Sequence, residues 1–145
     1  MKNLAAILLA AGKGTRMKSN TPKVLHKVAG RPMLFYPVKA LNELKVGRVV
    51  AVVGSGADRV KEALSSEKKL RFVVQKGQLG TGHAVLAAGS ALKGFRGDVL
   101  ILSGDVPLIT VETIKALIKT HRKGGKKSPV ITLISTVLND PSGYG

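Results

Sequence analysis

Three groups of residues in this chain have the types and spacing to do chemistry. The first is the loop Ala10-Ala11-Gly12-Lys13-Gly14-Thr15-Arg16-Met17, followed by Pro22-Lys23. It leaves an apolar run, its glycines let backbone N–H groups approach an anion closely, and Lys13 and Arg16 place two cations inside it. It is not a standard nucleotide loop. The dinucleotide fingerprint needs a third glycine where Met17 stands, and the Walker pattern needs Ser or Thr where Gly14 follows Lys13. A tight turn is the plainer alternative. The second group is Gln75 at a strand end with Gly80-Thr81 opening the next helix, an arrangement that lets a side-chain amide and backbone groups read a base edge. The alternative is a polar strand end beside a helix entry. The third is Asp105, directly after the apolar run 99–102, where a carboxylate suits Mg²⁺, a hard ion that bridges protein oxygens to phosphate. Gly104-Asp105-Val106-Pro107 is equally a good turn. His26, His83 and His121 lie apart without metal-ligand spacing and are expected to be structural.

The elements that must position these residues follow from periodicity. Leu4 to Leu9 is almost continuously apolar, as in a central parallel strand covered on both faces. Pro32 can open a helix carrying Leu34, Val38, Leu41 and Leu44 at helical spacing, ended by Gly47. Strands are expected at 48–53, 71–74, 98–102 and 130–137, and helices at about 58–64, 81–92 and 111–121. Such alternation implies right-handed βαβ units, a sheet between two helical layers and ligands beyond the carboxyl ends of the strands. The expectation for 1–145 is one compact nucleotide-binding unit with no low-complexity segment and no linker.

Composition narrows the function classes. The chain is 44% hydrophobic and 22% charged, as globular α/β proteins are. Lys+Arg 24 against Asp+Glu 8 gives a net charge of +16, which concentrates anions near the surface. Phosphate is the expected partner and nucleic acid the alternative. The basic residues are scattered, the run from His121 to Lys127 reads as a solvated turn, and 3% aromatics leave few stacking platforms, so no nucleic-acid partner is expected. Absence of cysteine removes disulfides and thiolate chemistry and fits a reducing compartment. Lys2 and the apolar run to Ala11 imitate a signal peptide but pass straight into the glycine loop, and no stretch is long enough to cross a bilayer. A cytoplasmic protein without a membrane partner is expected.

The string from Leu9 to Met17 and the segment Pro22-Lys23-Val24-Leu25 resemble the signature of the sugar-1-phosphate nucleotidyltransferase family. Gln75 with Gln78-Leu79-Gly80-Thr81-Gly82-His83-Ala84, then Gly104-Asp105-Val106-Pro107-Leu108, then Asp140-Pro141-Ser142-Gly143-Tyr144-Gly145, are similar to the uridyltransferase (pyrophosphorylase) domain of the bacterial GlmU family, which makes UDP-N-acetylglucosamine. Four segments in the right order span the chain. The resemblance implies a three-layer Rossmann-like, mostly parallel α/β sheet of the nucleotide-diphospho-sugar transferase type, incomplete at its C-terminus.

The same resemblance implies uridylyl transfer from UTP to N-acetylglucosamine 1-phosphate, giving UDP-N-acetylglucosamine and pyrophosphate for peptidoglycan and lipopolysaccharide precursors. It assigns catalytic roles to Arg16 at the triphosphate and Lys23 by the reacting phosphates. Leu9, Ala10, Ala11, Gly12 and Gly14 would wrap the nucleotide, and Gln75, Gly80 and Thr81 would read uracil. Asp105 would hold Mg²⁺, and Gly143 would lie near the sugar. Ser103 stands where the family often has a larger residue. The family continues past Gly145 with further sugar and metal ligands and an acetyltransferase β-helix, so the chain is expected to bind nucleotide without full activity. Its sheet edge is expected to be exposed and open to self-association. A thymidylyl- or cytidylyltransferase, a non-catalytic nucleotide-binding module and a basic nucleic-acid binder remain the alternatives, the last marked by steep salt dependence.

Overall fold

A computed structural model describes residues 3–12, 14–77, 79–125, 129–140 and 142. The chain divides into two compact units, 1–110 and 111–145.

The first unit is built on four parallel strands: β1 (Leu4–Ala10), β4 (Arg48–Val53), β5 (Leu70–Val74) and β6 (Asp98–Ser103). Between β1 and β4 lies a short antiparallel hairpin, β2 (Lys27–Val28) with β3 (Arg31–Pro32). The helices are α1 (Phe35–Glu43), α2 (Ala57–Ala63) and α3 (Thr81–Ala87), the last continued by a 3₁₀ turn over Ala88–Leu92. The sheet order is β5-β4-β1-β6. The chain therefore steps outward from β1 through β4 to β5, then crosses back to lay β6 on the other side of β1.

Register explains why β1 reads as an uninterrupted apolar run. Ile7 aligns with Val50 and Ile101, so alternate residues of β1 face opposite sides of the sheet and both sides are covered. One face, Ile7 with Val50 and Val52, packs on Ala84 and Ala88 of the α3 segment. Leu4, Ala6 and Leu8 point to the other face and are fully buried. Right-handed crossovers place α1 and α2 on that second face, opposite α3, because the direction of travel reverses at β6. The three expected layers are formed, and the reversal makes the carboxyl ends of β1 and β6 a topological switch point.

Three expectations about elements need correction. Pro32 does not open α1. It lies in β3 paired with Lys27, and the first-turn proline of the helix is Pro37, whose missing N–H falls among the donors that a helix start leaves unpaired. The helix expected over 81–92 is regular only to Ala87 and tightens to 3₁₀ geometry beyond it. The strand expected at 130–137 is absent: the described residues 129–140 form no ladder, and Val130, Ile131, Leu133 and Val137 are largely exposed. Apolar β-branched composition favours a pleated, half-buried surface, and without a paired neighbour it does not make a strand.

The second unit contains α4 (Val111–Arg122), with Ile114 and Ile118 buried one turn apart. His121 Nδ1 lies 2.9 Å from Thr132 Oγ1 within this unit. No helix among the described residues is long and apolar enough to cross a membrane.

Candidate functional site

At the switch point the first unit opens into a cavity of about 460 Å³, within the size range of small-ligand sites. Each wall comes from a different strand end. Leu9, Ala11 and Gly12 supply the wall at the end of β1. Gln75, Gly80, Thr81 and Ala84 supply the wall at the β5–α3 junction, and Ser103 at the end of β6 and Asp105 just after it supply the third. Lys23 and Val24 enter from a 3₁₀ turn over Lys23–Leu25.

That turn is held from both sides. The backbone N–H of Leu34 donates to Val24 O at 3.0 Å and that of Met33 to His26 O at 3.0 Å, so the hairpin returns the chain against it. The hydroxyl of Tyr36 on α1 donates to Val28 O. From α2, Arg59 donates to Asn20 O at 2.9 Å, fixing the approach to Pro22. The packing is tight at Gly14, which has a φ of +63° and stands where a Cβ would come within 2.8 Å of Lys23 Cβ.

Lys23 Nζ lies 2.5 Å from Asp105 Oδ2, and Ser103 Oγ donates to Asp105 Oδ1 at 2.5 Å. Burial alone would raise the Asp105 carboxyl. The hydrogen bonds from Lys23 and Ser103 and the charge of Lys23 outweigh it and hold the group below the ordinary carboxylate range. An ionised carboxylate and an ammonium thus face each other inside the cavity. Asp105 reaches this position because Gly104 lets the chain turn close to β1: its N–H donates to Leu9 O at 2.9 Å, and a Cβ there would stand 2.9 Å from both Leu9 O and Leu34 Cδ1.

Gln75 is the one polar residue in the buried core of the described chain. Its backbone N–H donates to Val53 O at 2.8 Å, extending the β4–β5 ladder by one residue. Its side-chain nitrogen donates to Gly80 O at 3.3 Å and lies 2.9 Å from His83 Nδ1. Gly80, with a φ of +98°, turns the chain into α3.

Of the residues singled out from sequence, the cavity brings together Leu9, Ala11, Gly12, Lys23, Gln75, Gly80, Thr81 and Asp105. Ala10 is buried as the last residue of β1, and Gly14 shapes the loop from behind Lys23. Arg16 is exposed on a 3₁₀ turn over Thr15–Met17, outside the cavity lining. Gly143 lies outside the described residues. Sequence reasoning did not foresee Val24 and Ala84 in the lining, nor the contact of His83 with Gln75. The position of His83 one turn into a helix that Gly80-Thr81 opens was the available signal.

Comparison with known proteins shows the family to which the chain belongs. The MobA-like NTP transferase domain matches residues 6–135. Proteins named bifunctional protein GlmU from Anaeromyxobacter sp. (strain K) and Geobacter sulfurreducens are 56% and 50% identical over 145 residues. The matches cover 98% and 100% of this chain but 29% and 30% of those proteins, so the chain spans about three-tenths of their length. Among solved structures, a nucleotidyl transferase from Methanothermobacter thermautotroptrophicus has a TM-score of 0.70 at 25% identity, covering 82% of this chain and 58% of its own. The family match runs from within β1 to beyond α4 and takes in every residue that lines the cavity, and the chain belongs to the MobA-like NTP transferase domain family.

Proposed function

We propose that this chain carries the nucleotide half of a uridylyl-transfer site, for UTP and N-acetylglucosamine 1-phosphate as substrates and UDP-N-acetylglucosamine and pyrophosphate as products. The observation that carries the reading is the convergence of Lys23, Asp105 and the Gln75 amide on one cavity at the switch point of the sheet. The similarity to the two GlmU proteins supports the choice of base and sugar.

The chemistry asks for alignment and neutralisation. An oxygen of the sugar phosphate, already ionised, attacks the α-phosphorus of UTP. A P–O bond forms, the bond from the α-phosphorus to the bridging oxygen breaks, and its electron pair leaves with pyrophosphate. No general base is required, in keeping with a cavity lined by a cation, a carboxylate, an amide and backbone groups. Lys23 reaches the phosphates from the 3₁₀ turn, the Gly12 backbone approaches them closely, and Arg16 stands at the far end of the same loop for the triphosphate.

Mg²⁺ is part of this reading. Among the described residues no three His, Asp or Glu side chains gather around a point, so a caged structural ion does not suit the chain. An ion that takes one or two carboxylates and completes its shell from substrate phosphates does suit it, and Asp105 would hold it. Bound there, it would neutralise phosphate charge alongside Lys23.

UTP titration with and without Mg²⁺, beside a pyrophosphate-release assay with N-acetylglucosamine 1-phosphate, tests the proposal. The expected result is Mg²⁺-strengthened UTP binding that Lys23→Ala weakens, with turnover slow or absent in this chain alone. No binding at millimolar UTP, or equal affinity for mixed-sequence DNA with a steep salt dependence, overturns it.

A further inference from the structure

The Gln75 amide can face the cavity in two ways, and the base it accepts depends on which. Its oxygen accepts a hydrogen bond and its nitrogen donates two, so rotating the group by half a turn reverses its demand on a ligand. Two neighbours settle the choice. Gly80 O, at 3.3 Å, is a carbonyl and can only accept, so the group facing it is the amide nitrogen. His83 Nδ1, at 2.9 Å, faces the same nitrogen and must accept its second hydrogen. That requires a neutral ring with its hydrogen on Nε2. Both amide hydrogens are then used within the protein, and Oε1 is what Gln75 offers to the cavity.

We propose that His83 is a specificity-determining positioning residue, which fixes Gln75 with Oε1 toward the ligand and so selects pyrimidine nucleotides whose ring N3 carries a hydrogen. Uracil donates from N3–H to such an oxygen. Cytosine has only a lone pair at N3, which would oppose the Oε1 lone pairs in a buried site where an unmatched polar group is costly. The inference rests on the reading of the cavity as a pyrimidine nucleotide site. It adds what enforces the choice: Gly80 O already accepts from the N–H of Ala84 at 3.2 Å, so the histidine supplies the second, otherwise uncommitted acceptor.

Titrating the full chain and two variants with UTP and with CTP tests it. Wild type is expected to prefer UTP. His83→Phe keeps a ring of similar size but removes the acceptor, and the UTP/CTP affinity ratio should fall by about tenfold. His83→Asn places an oxygen near the Nδ1 position and should restore much of the ratio. A UTP-selective wild type whose ratio is unchanged in His83→Phe overturns the inference, and so does a variant that loses both nucleotides equally, as a purely structural residue would. A wild type that binds neither nucleotide, or both alike, overturns the reading of the cavity and the inference with it. A second measurement needs no variant: ¹⁵N spectra of the histidine-labelled chain should show the neutral His83 ring protonated at Nε2, and a proton on Nδ1 overturns the proposal.

Discussion

Asp105 has two partners, and each has committed one of its oxygens. Ser103 holds Oδ1 from the end of β6, and Lys23 holds Oδ2 from the turn beyond the β1 loop. In the proposed reading Asp105 would hold Mg²⁺, which would neutralise phosphate charge alongside Lys23. Asp105→Asn should therefore remove the strengthening of UTP binding by Mg²⁺, read by titration with and without the ion. Strengthening as large as in wild type would take Asp105 out of the metal role. The same variant gives a pH test. The folded carboxyl titrates below its ordinary value of 3.8, so its pairing stabilises the fold above that value and is lost as pH falls through the lower, folded one. The stability gap between wild type and Asp105→Asn in urea melts should stay level from pH 7 to about pH 5 and close in stronger acid. The gap will be small because both partners are partly exposed. Lys23 and Asp105 were legible separately, one from a cation after a glycine loop and the other from a carboxylate after an apolar run. Their contact was not, because only the β1–β6 pairing brings the two loops together. The contact of His83 with Gln75 was hidden for a similar reason: one histidine without ligand spacing shows no partner until Gln75 is placed across from it.

Local pattern was enough where an element buries a continuous face or stripe. β4 was expected at 48–53 and spans Arg48–Val53, and α4 overruns its expected end by one residue. It failed where geometry comes from a turn the residues do not advertise. The hairpin of β2 and β3 turns through Ala29 and Gly30 with φ of 46° and 80°, positive at both central positions as in a type I′ turn, yet alanine rarely accepts that conformation and no Asn-Gly or Asp-Gly pair marks it. The strand expected at 130–137 failed for the opposite reason, since its local signal was strong and its pairing is missing. Gly104 is where element geometry and site meet. Alanine there must displace Leu9 O or the Leu34 side chain, both held by the sheet and the hydrophobic core. Gly104→Ala should cost about 1–3 kcal/mol in urea unfolding, as overpacking does, and weaken nucleotide binding by shifting Asp105. Gly89→Ala, with no heavy atom in the way of a Cβ, is the matched control and should leave both unchanged. Equal effects from the two would mean that the close approach at Gly104 does not matter.

For the molecule as a whole, two opposing surface properties decide how copies behave toward one another. β6 is an edge of the four-stranded sheet among the described residues, and its Val99 and Ile101 are 43% and 46% exposed on the face where α3 covers the other strands. An open edge with apolar side chains beside it favours pairing between chains. A net charge of +16 works against this by long-range repulsion. The two differ in range: repulsion between exposed charges acts over a Debye length of about 10 Å at 0.1 M salt and about 3 Å at 1 M, whereas apolar contact acts only at touching distance and is not screened. Raising salt should therefore remove the repulsion and leave the attraction. Sedimentation velocity of the chain at fixed concentration is expected to show a monomer at low ionic strength and larger species as salt rises, the reverse of the salt response of a nucleic-acid complex. Ile101→Lys should suppress the larger species, because it puts a charge on the apolar part of the edge while adding only one to an already large total. A wild type that stays monomeric at 1 M salt would show that this edge does not drive association, and larger species that persist unchanged in Ile101→Lys would place the contact elsewhere on the surface.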